Sequence, residues 1–350
     1  MTRLPRPPIL GWDIGGVNIK AALIDGGDGD GSAIRTVSEP YEIQRDPGAL
    51  GPTLAALAAT LGPQADRAHA VTMTAELSQA FRTKREGVGF VLDALATAFP
   101  GEPLHVYAVD GCFVTSDEAR ARPLDVGASN WMATAAFVAR EVPDGILIDI
   151  GTTSTDIIPL RDGRVVARGR TDPSRLLTGE LVYTGAVRTP AEALVREVPL
   201  WGGAAAVSAE GFATIGDAHV WLGQLDPAEY SAPTADGRPP TRTSAGERLA
   251  RVVCGDREML DDDAVDRIAR ALAEAQVEAV AAAVGRVRAA VPDAQTAVVA
   301  GLGDFIAAAA ARRAGLAVVP LAERLGGAAR HAPAAAVAWL LADQLAAGTR

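Results

Sequence analysis

The 350-residue chain carries 33 basic and 43 acidic side chains, which gives a net charge of −10 at pH 7. A protein that binds nucleic-acid backbones needs a basic face, and the aromatic residues that stack on bases make up only 5% of this chain. The composition therefore predicts no nucleic-acid partner. The length and the 49% of hydrophobic residues favour two globular domains over one small core.

The sequence argues against a secreted protein, a membrane protein and a zinc-binding protein. The two cysteines, Cys112 and Cys254, fit a reducing compartment. Residues 1–8 lack the apolar stretch of a secretion signal, and no run of about 18 apolar residues predicts a membrane span. We therefore expect a cytoplasmic protein with no membrane partner. Four histidines without H-x-x-H spacing argue against zinc; Asp217 and His219 form the one pair that a strand could aim at a metal ion.

Periods of two and of 3.6 residues alternate along the chain, as in a layered α/β protein. The predicted strands lie at about 9–14, 19–24, 33–39, 68–72, 104–109, 146–150, 154–159, 165–168 and 317–319, with a turn at 26–31. The predicted helices lie at about 50–61, 88–98, 129–140, 247–253, 262–290, 306–314 and 333–345. The third helix would be capped by Ser129 or Asn130. Residues 173–240 show little periodicity and predict an insertion.

The first polar motif is an apolar strand that ends in Asp13 and turns at Gly15 and Gly16 into a second strand. Glycine leaves backbone N–H groups accessible, so phosphate oxygens can approach closely. Asp13 could hold Mg²⁺ or orient a nucleophile, and Asn18 and Lys20 could contact phosphate. An ordinary hairpin, with Asp13 closing its own turn and Lys20 exposed, would contain the same residues.

A carboxylate follows the next predicted strand, in Val71-Thr72-Met73-Thr74-Ala75-Glu76-Leu77. Glu76 stands where a parallel strand ends, a place from which it could accept a proton or bind Mg²⁺. The alternative is a glutamate that complements the dipole of a helix N-terminus.

The second polar motif repeats the first in mid-chain, where Ile146–Ile150 leads through Asp149 into Gly151, Thr152, Thr153 and Ser154. Its hydroxyls and N–H groups suit phosphate, although strand propensity alone also favours threonine there. Asp149 would be the symmetric counterpart of Asp13 and a second magnesium ligand.

The third motif is the strand 297–300, followed by Gly301-Leu302-Gly303 and an alanine-rich helix. A strand–Gly-x-Gly–helix turn favours a phosphate or nucleoside at the helix N-terminus. The sequence has no complete G-x-G-x-x-G here, so a dinucleotide fingerprint is not indicated.

These motifs, in this order, resemble the actin/sugar kinase/Hsp70 superfamily, which has a two-lobed α/β fold of the ribonuclease H type with mixed sheets and a central cleft. Val71–Leu77 resembles the M-T-x-E-L motif of the hydantoinase A/oxoprolinase branch. Thr214–Gly223 resembles its T-D-A-N-x-x-L-G segment, with His219 in place of Asn. Three further segments resemble a subgroup tied to tetrahydromethanopterin-linked one-carbon transfer. They are Ala128-Ser129-Asn130-Trp131, Gly179–Gly185 with Arg188-Thr189-Pro190, and Asp236-Gly237-Arg238-Pro239.

The resemblance implies two lobes. The first would comprise 1–127 and 332–350 and carry the first phosphate turn. The second would comprise 128–331 and carry the second turn, the insertion at about 173–240 and the Gly-x-Gly loop.

The subgroup implies a transferase of methanofuran or methylofuran biosynthesis. It would join an (aminomethyl)furan-methyl diphosphate to the phenol of glutamyl-tyramine or tyrosine, with Asp13, Glu76 and Asp149 as catalytic residues and Mg²⁺ as cofactor. The substrate-binding residues would be Asn130, Glu180, Tyr183, Thr184 and Arg188. Of these, Arg188 could clamp diphosphate or a carboxylate, and Tyr183 could stack on a ring or simply pack.

Two other function classes stay open at this stage. One is an ATP-dependent kinase or hydantoinase-like hydrolase, with ATP on Gly301 and Gly303. The other is a nucleotide-gated scaffold without catalysis. The sequence also leaves open the acceptor, the number of metal ions and the oligomeric state, a homodimer included.

Overall fold

The computed structural model describes residues 7–25, 34–62 and 67–348, so the turn predicted at 26–31 lies outside the described residues. The chain divides into two compact units. Unit 1 comprises Met1–Asp144, Leu160–Arg175 and Leu321–Arg350, and unit 2 comprises Gly145–Pro159 and Leu176–Pro320. The division thus falls after Asp144 rather than after residue 127, and a second short segment joins unit 1.

The described strands and helices follow the predicted alternation. The strands are β1 (Ile9–Ile14), β2 (Asn18–Ile24), β3 (Ile34–Pro40), β4 (Ala68–Met73), β5 (Leu104–Tyr107), β6 (Phe113–Val114), β7 (Gly145–Ile150), β8 (Thr155–Arg161), β9 (Arg164–Val165), β10 (Leu181–Val182), β11 (Glu197–Leu200), β12 (Gly203–Ala206), β13 (Thr296–Gly301) and β14 (Ala317–Pro320). The helices are α1 (Leu50–Thr60), α2 (Lys84–Ala98), α3 (Ser116–Ala121), α4 (Pro123–Val126), α5 (Asn130–Glu141), α6 (Asp172–Thr178), α7 (Ala191–Leu194), α8 (Ile215–Trp221), α9 (Arg242–Arg251), α10 (Asp262–Arg288), α11 (Asp304–Arg313), α12 (Ala322–Leu325) and α13 (Ala332–Gly348). Short 3₁₀ helices lie at Pro47–Ala49, Ala75–Leu77, Pro227–Glu229 and Gly326–His331.

The six-stranded sheet of unit 1 has the order β3-β2-β1-β4-β5-β6. All of β1 is buried, which explains why its sequence is a nearly unbroken apolar run. Helix α13 packs on this sheet, and its Ala334 carbonyl oxygen occupies the place where a Cβ at Gly11 would stand. Only glycine at that position lets the helix backbone approach the strand so closely.

The main sheet of unit 2 has the order β10-β8-β7-β13-β14. It repeats the arrangement of unit 1. There, β1 pairs with β2 and, on its other side, in parallel with β4, which pairs in parallel with β5. Here, β7 neighbours β8 and pairs in parallel with β13, which pairs in parallel with β14. Each unit therefore sets a strand–turn–strand hairpin beside parallel strands, and the predicted α/β class with mixed sheets is confirmed.

Two local predictions differ from the structure. The segment 173–240 contains short regular elements, among them the β11–β12 hairpin and α8, which are too brief to show a clear period in sequence. Helix α5 begins at Asn130, but Ser129 adopts helical backbone angles and its side chain caps nothing. The preceding Ala128 takes a left-handed φ of 51°, so the chain turns sharply into the helix without an N-cap hydrogen bond.

Candidate functional site

The two predicted phosphate turns have the same closing hydrogen bond. In unit 1 the Gly15 amide donates to the Asn18 carbonyl at 3.0 Å, and in unit 2 the Gly151 amide donates to the Ser154 carbonyl at 3.0 Å. In both turns the aspartate stands two positions before the glycine, at Asp13 or Asp149. The repeat read from the sequence is therefore also a repeat of backbone geometry.

The first turn gathers several polar groups on one hairpin of unit 1. Asp13 is buried and lies directly opposite Lys20 in the β1–β2 register. The Asn18 side-chain oxygen is buried and accepts no hydrogen bond. A buried acceptor without a donor commonly marks the place of a water, an ion or a ligand. The predicted group of Asp13, Asn18 and Lys20 is thus brought together by one hairpin.

Glu76 follows β4, the strand next to β1, and lies in the 3₁₀ turn Ala75–Leu77. Its side chain is fully buried. Neither carboxylate oxygen makes a well-aligned hydrogen bond, but the Lys84 Nζ lies 3.2 Å from Oε1. The same ammonium lies 2.7 Å from Asp172 Oδ2, at the start of α6. A carboxylate, an ammonium and a second carboxylate therefore form one chain of charges.

Glycines line the pocket that holds the Glu76 carboxylate. A Cβ at Gly127 would lie 3.1 Å from Glu76 Oε1, and a Cβ at Gly87 would lie 2.6 Å from the Glu76 Cα. Neither Gly87 nor Gly127 has a side chain that could donate a hydrogen bond to the Glu76 oxygens. The pocket buries the carboxylate, and the cation that contacts it is Lys84, at Oε1.

Burial raises the pKa of Glu76 to about 7. The Lys84 ammonium opposes this by favouring the charged carboxylate, and the Asp172 carboxylate adds a smaller rise. A carboxyl group with a pKa near the working pH can both accept and return a proton, which is what a general base or acid requires. The interpretation of Glu76 as a helix N-terminal residue alone does not account for its burial.

In unit 2 the segment 184–190 wraps around the second phosphate turn. The amide of Ala186 donates to the Gly151 carbonyl at 2.9 Å. The Thr152 carbonyl accepts from the Val187 and Arg188 amides at 3.1 and 3.0 Å. A Cβ at Gly185 would lie 2.5 Å from the Thr153 nitrogen, so only glycine fits there. The segment that suggested the subgroup in sequence is thus attached directly to a phosphate turn.

The Gly-x-Gly segment lies against the same turn from another side. Gly301 has a φ of 86°, and a Cβ there would collide with the Ile150 carbonyl oxygen and with Asp149 Oδ1. The Gly303 amide donates to the Ile150 carbonyl at 2.9 Å. Unit 2 therefore brings two separate sequence motifs together, the second turn with Asp149 and the Gly301-Leu302-Gly303 segment.

A buried polar network connects this turn to α10. The Gln276 amide nitrogen donates to Thr184 Oγ1 at 2.9 Å and to the Gly185 carbonyl at 2.8 Å. Its oxygen bonds to His219 Nε2 at 2.9 Å, and His219 Nδ1 bonds to Gln224 Oε1 at 2.9 Å. Burial lowers the pKa of His219, and a neutral ring carries one N–H, so it donates to only one of these two glutamine oxygens. The network fixes the backbone of the segment beside the turn.

Replacing Gln276 with Leu should destabilise the protein by about 2 kcal/mol, because it removes two buried hydrogen bonds that the amide donates to Thr184 Oγ1 and to the Gly185 carbonyl. Urea unfolding at neutral pH measures this change. An exposed glutamine, Gln295, is a suitable control, since its substitution by Leu leaves no buried group unpaired. Equal effects of the two substitutions would contradict the assigned role of the network.

The substrate residues predicted from the family resemblance have different environments. Glu180 is buried and its Oε2 accepts from Thr178 Oγ1 at 2.8 Å, and Thr184 is buried. Tyr183 is 61% exposed, and Arg188 is also exposed. These four belong to unit 2, whereas Asn130 begins α5 in unit 1. Only the two exposed side chains are available to a ligand on the surface of unit 2 itself.

The interpretation of Asp217–His219 as a strand, on which the pair could chelate a metal ion, is wrong. The segment is helix α8, in which positions two apart point in different directions. Asp217 instead makes a fully buried ion pair with Arg248 at 2.7 Å. Within 7–25, 34–62 and 67–348, no group of three or more His, Cys, Asp or Glu side chains is placed to hold a metal ion. The same part of the chain has no helix long and apolar enough to cross a membrane.

Two polar partners of Glu76 were not predicted, Lys84 and Asp172. Their contact joins residues 88 positions apart, which no local pattern reveals. The composition did contain one signal that could have indicated Lys84, the rarity of lysine. Lys20 and Lys84 are the only lysines among the 33 basic residues, and both lie beside a candidate catalytic carboxylate.

Comparisons with known proteins agree with the resemblance. A family model described as hydantoinase/oxoprolinase matches residues 67–344. A protein of Methanocaldococcus jannaschii named (4-{4-[2-(gamma-L-glutamylamino)ethyl]phenoxymethyl}furan-2-yl)methanamine synthase is 39% identical over 273 residues, which cover 78% of this chain and 79% of that protein. The Methanococcus vannielii protein of the same name is 36% identical over 130 residues, covering 37% of this chain and 58% of that protein.

A solved structure supports the fold. The nucleotide-free structure of acetone carboxylase, from work on ATP-dependent acetone carboxylation, has a TM-score of 0.60 at 13% identity. The match covers 96% of this chain and 70% of that one. At this identity the likeness concerns the fold alone.

Proposed function

Because the chain belongs to the hydantoinase/oxoprolinase family, we propose that it is a transferase that forms the aryl ether of a methanofuran-type cofactor. The observation that carries this proposal is the 39% identity, over most of both chains, to a synthase whose printed product joins a furan to a phenol through an oxygen and a methylene. The substrates would be an (aminomethyl)furan-methyl diphosphate and the phenol of a glutamyl-tyramine or of tyrosine.

The reaction requires three events. The phenol oxygen forms a bond to the methylene carbon, the bond from that carbon to the diphosphate oxygen breaks, and the phenol proton is taken up. The proposal assigns the proton to Glu76, because burial raises its pKa to about 7 and its Oε2, unlike the Oε1 beside Lys84, has no hydrogen-bond partner. The proposal assigns the leaving diphosphate to the backbone amides of the turn at Gly15–Asn18, which belongs to the same unit as Glu76.

Magnesium fits the donor set of the first turn. Asp13 supplies a carboxylate, and the buried Asn18 oxygen lacks a hydrogen-bond donor, so both are suitable oxygen ligands for a hard cation or its waters. Asp149 would have the equivalent role in unit 2. Bound Mg²⁺ would neutralise charge on the leaving diphosphate.

The test is an assay of the purified protein with the furan-methyl diphosphate, Mg²⁺ and either glutamyl-tyramine or tyrosine. Mass spectrometry should detect the aryl ether, and diphosphate should appear in equal amount. Asp13→Asn and Asp149→Asn should each lower kcat/KM by roughly 10²-fold, the size typical of lost electrostatic stabilisation. If both aspartates serve the same step, the double variant should lose far less than the product of the single losses.

A second candidate function is an ATP-dependent kinase or hydrolase, which the contact between Gly301, Gly303 and the second turn favours. The same assay distinguishes the two functions. ATP hydrolysis that depends on a small substrate, with no ether formed from any acceptor, would refute the transferase. Ether formation without ATP would refute the kinase or hydrolase.

A further inference from the structure

The position of Lys84 is notable because the chain uses arginine almost everywhere else for positive charge. Lysine carries a compact point charge, whereas arginine carries a planar fork of donors that suits paired, two-point contacts. The Lys84 Nζ lies between two carboxylates that approach from different elements, Glu76 Oε1 at 3.2 Å and Asp172 Oδ2 at 2.7 Å. The single ammonium is therefore shared by two carboxylates.

The side chains of Glu76, Lys84 and Asp172 differ in burial. The side chain of Glu76 is fully buried, and those of Lys84 and Asp172 are 23% and 19% exposed. Lys84 comes from the start of α2 and Asp172 from the start of α6, while the wall at Gly127 offers no side chain. Lys84 and Asp172 are therefore the charged groups that face Glu76 from the helices around it.

We propose that Lys84 is a positioning residue for Glu76, and that Asp172 sets the strength of this effect by sharing the ammonium. The inference rests on the proposed role of Glu76 as the proton acceptor. One ammonium between two carboxylates compensates each of them only in part. Glu76 therefore stays ionised enough to accept the phenol proton and basic enough to hold it.

Two substitutions should move Glu76 in opposite directions. Lys84→Met removes the cation and should shift the acid limb of the kcat/KM profile to higher pH by about one unit or more, since a nearby opposite charge shifts a carboxyl pKa by one to three units. Asp172→Asn keeps an oxygen that accepts from Lys84 but removes the competing charge, so the acid limb should move to lower pH. Lys84→Arg should restore most of the normal profile, and KM should change little in all three.

Arg85→Met is the matched control, because it removes an exposed neighbouring cation of the same helix. The second readout does not need substrate. Carboxyl-¹³C glutamate labelling, with the Glu76 signal assigned from Glu76→Gln, reports the titration of Glu76 directly by NMR. The pH midpoint of the Glu76 titration should rise in Lys84→Met, fall in Asp172→Asn and remain unchanged in Arg85→Met.

Shifts in the same direction for Lys84→Met and Asp172→Asn, or an unchanged midpoint in Lys84→Met, would overturn the inference. The two readouts separate it from the proposed function. Opposite NMR shifts without any ether product would refute only the transferase. Ether formation with unshifted midpoints would refute only the role of Lys84 and Asp172. If Lys84→Met does not fold, the direction of the Asp172→Asn shift decides alone.

Discussion

Replacing Glu76 with Gln is expected to abolish most of the transferase activity. Gln has nearly the same shape and cannot accept a proton, so the loss should be about 10²- to 10⁴-fold in kcat, the usual contribution of a general base. KM should stay within a few-fold, because the pocket keeps its shape. Single-turnover assays above pH 7 measure the effect where Glu76 is ionised in the native enzyme.

The same substitution is expected to stabilise the fold at alkaline pH. Since burial raises the pKa of Glu76 from 4.5 to about 7 in the folded state, the folded protein favours the protonated form. Stability from this group is therefore complete below pH 4.5 and is lost as the pH rises through about 7. At pH 8 the loss amounts to about 3 kcal/mol, which the neutral Gln avoids.

Urea unfolding at pH 5 and pH 8 tests this second effect. The gain from Glu76→Gln should be clearly larger at pH 8. Glu39→Gln, at an exposed strand position, is the control and should show no such pH dependence. A variant that loses activity and is also less stable at pH 8 would show that Glu76 serves the fold and that its burial is compensated.

Replacing Gly185 with Ala is expected to disrupt the second phosphate turn. The new Cβ would lie 2.5 Å from the Thr153 nitrogen and 2.6 Å from the Thr152 carbonyl carbon. Both are backbone atoms of the turn itself, so no side chain can rotate away to relieve the contact. We expect a loss of about 3 kcal/mol in the free energy of unfolding, at the upper end of overpacking effects, and no measurable turnover.

Gly285→Ala is the control for this prediction. Gly285 lies within helix α10, and a Cβ there would meet nothing within 4 Å. Alanine should stabilise the helix by about 0.5–1 kcal/mol. Thermal unfolding of both variants, together with the ether assay, makes the comparison. Full activity in Gly185→Ala would mean that segment 184–190 can move away from the turn.

The sequence predicted the hairpins well because each combines an apolar strand, a glycine turn and a second apolar strand. That pattern depends on neighbouring residues only. It placed Asp13 and Asp149 at equivalent positions, and the common hydrogen bond of Gly15 and Gly151 agrees with it. The long helices α10 and α13 were likewise predicted close to their observed bounds, since each spans several turns of regular period.

Contacts between distant segments were not predictable in the same way. Nothing near Lys84 in sequence indicates Asp172, and nothing near Gln276 indicates Thr184, 92 positions away. The pair of Asp217 and His219 misled for a related reason. Its spacing suits a strand, but α8 is a short helix held by its Thr214–Asp217 capping box and by packing, and neither extends over enough residues to produce a visible period.

The attachment of segment 184–190 to Gln276 ties the second turn to helix α10. The amides of Ala186, Val187 and Arg188 fasten the segment to the turn, and the Gln276 amide fastens it to the helix through Thr184 and Gly185. A chimera that receives the loop of a relative without the matching residue at 276 should misplace the turn. Exchange of the segment should therefore preserve the turn only when that helix position is exchanged with it.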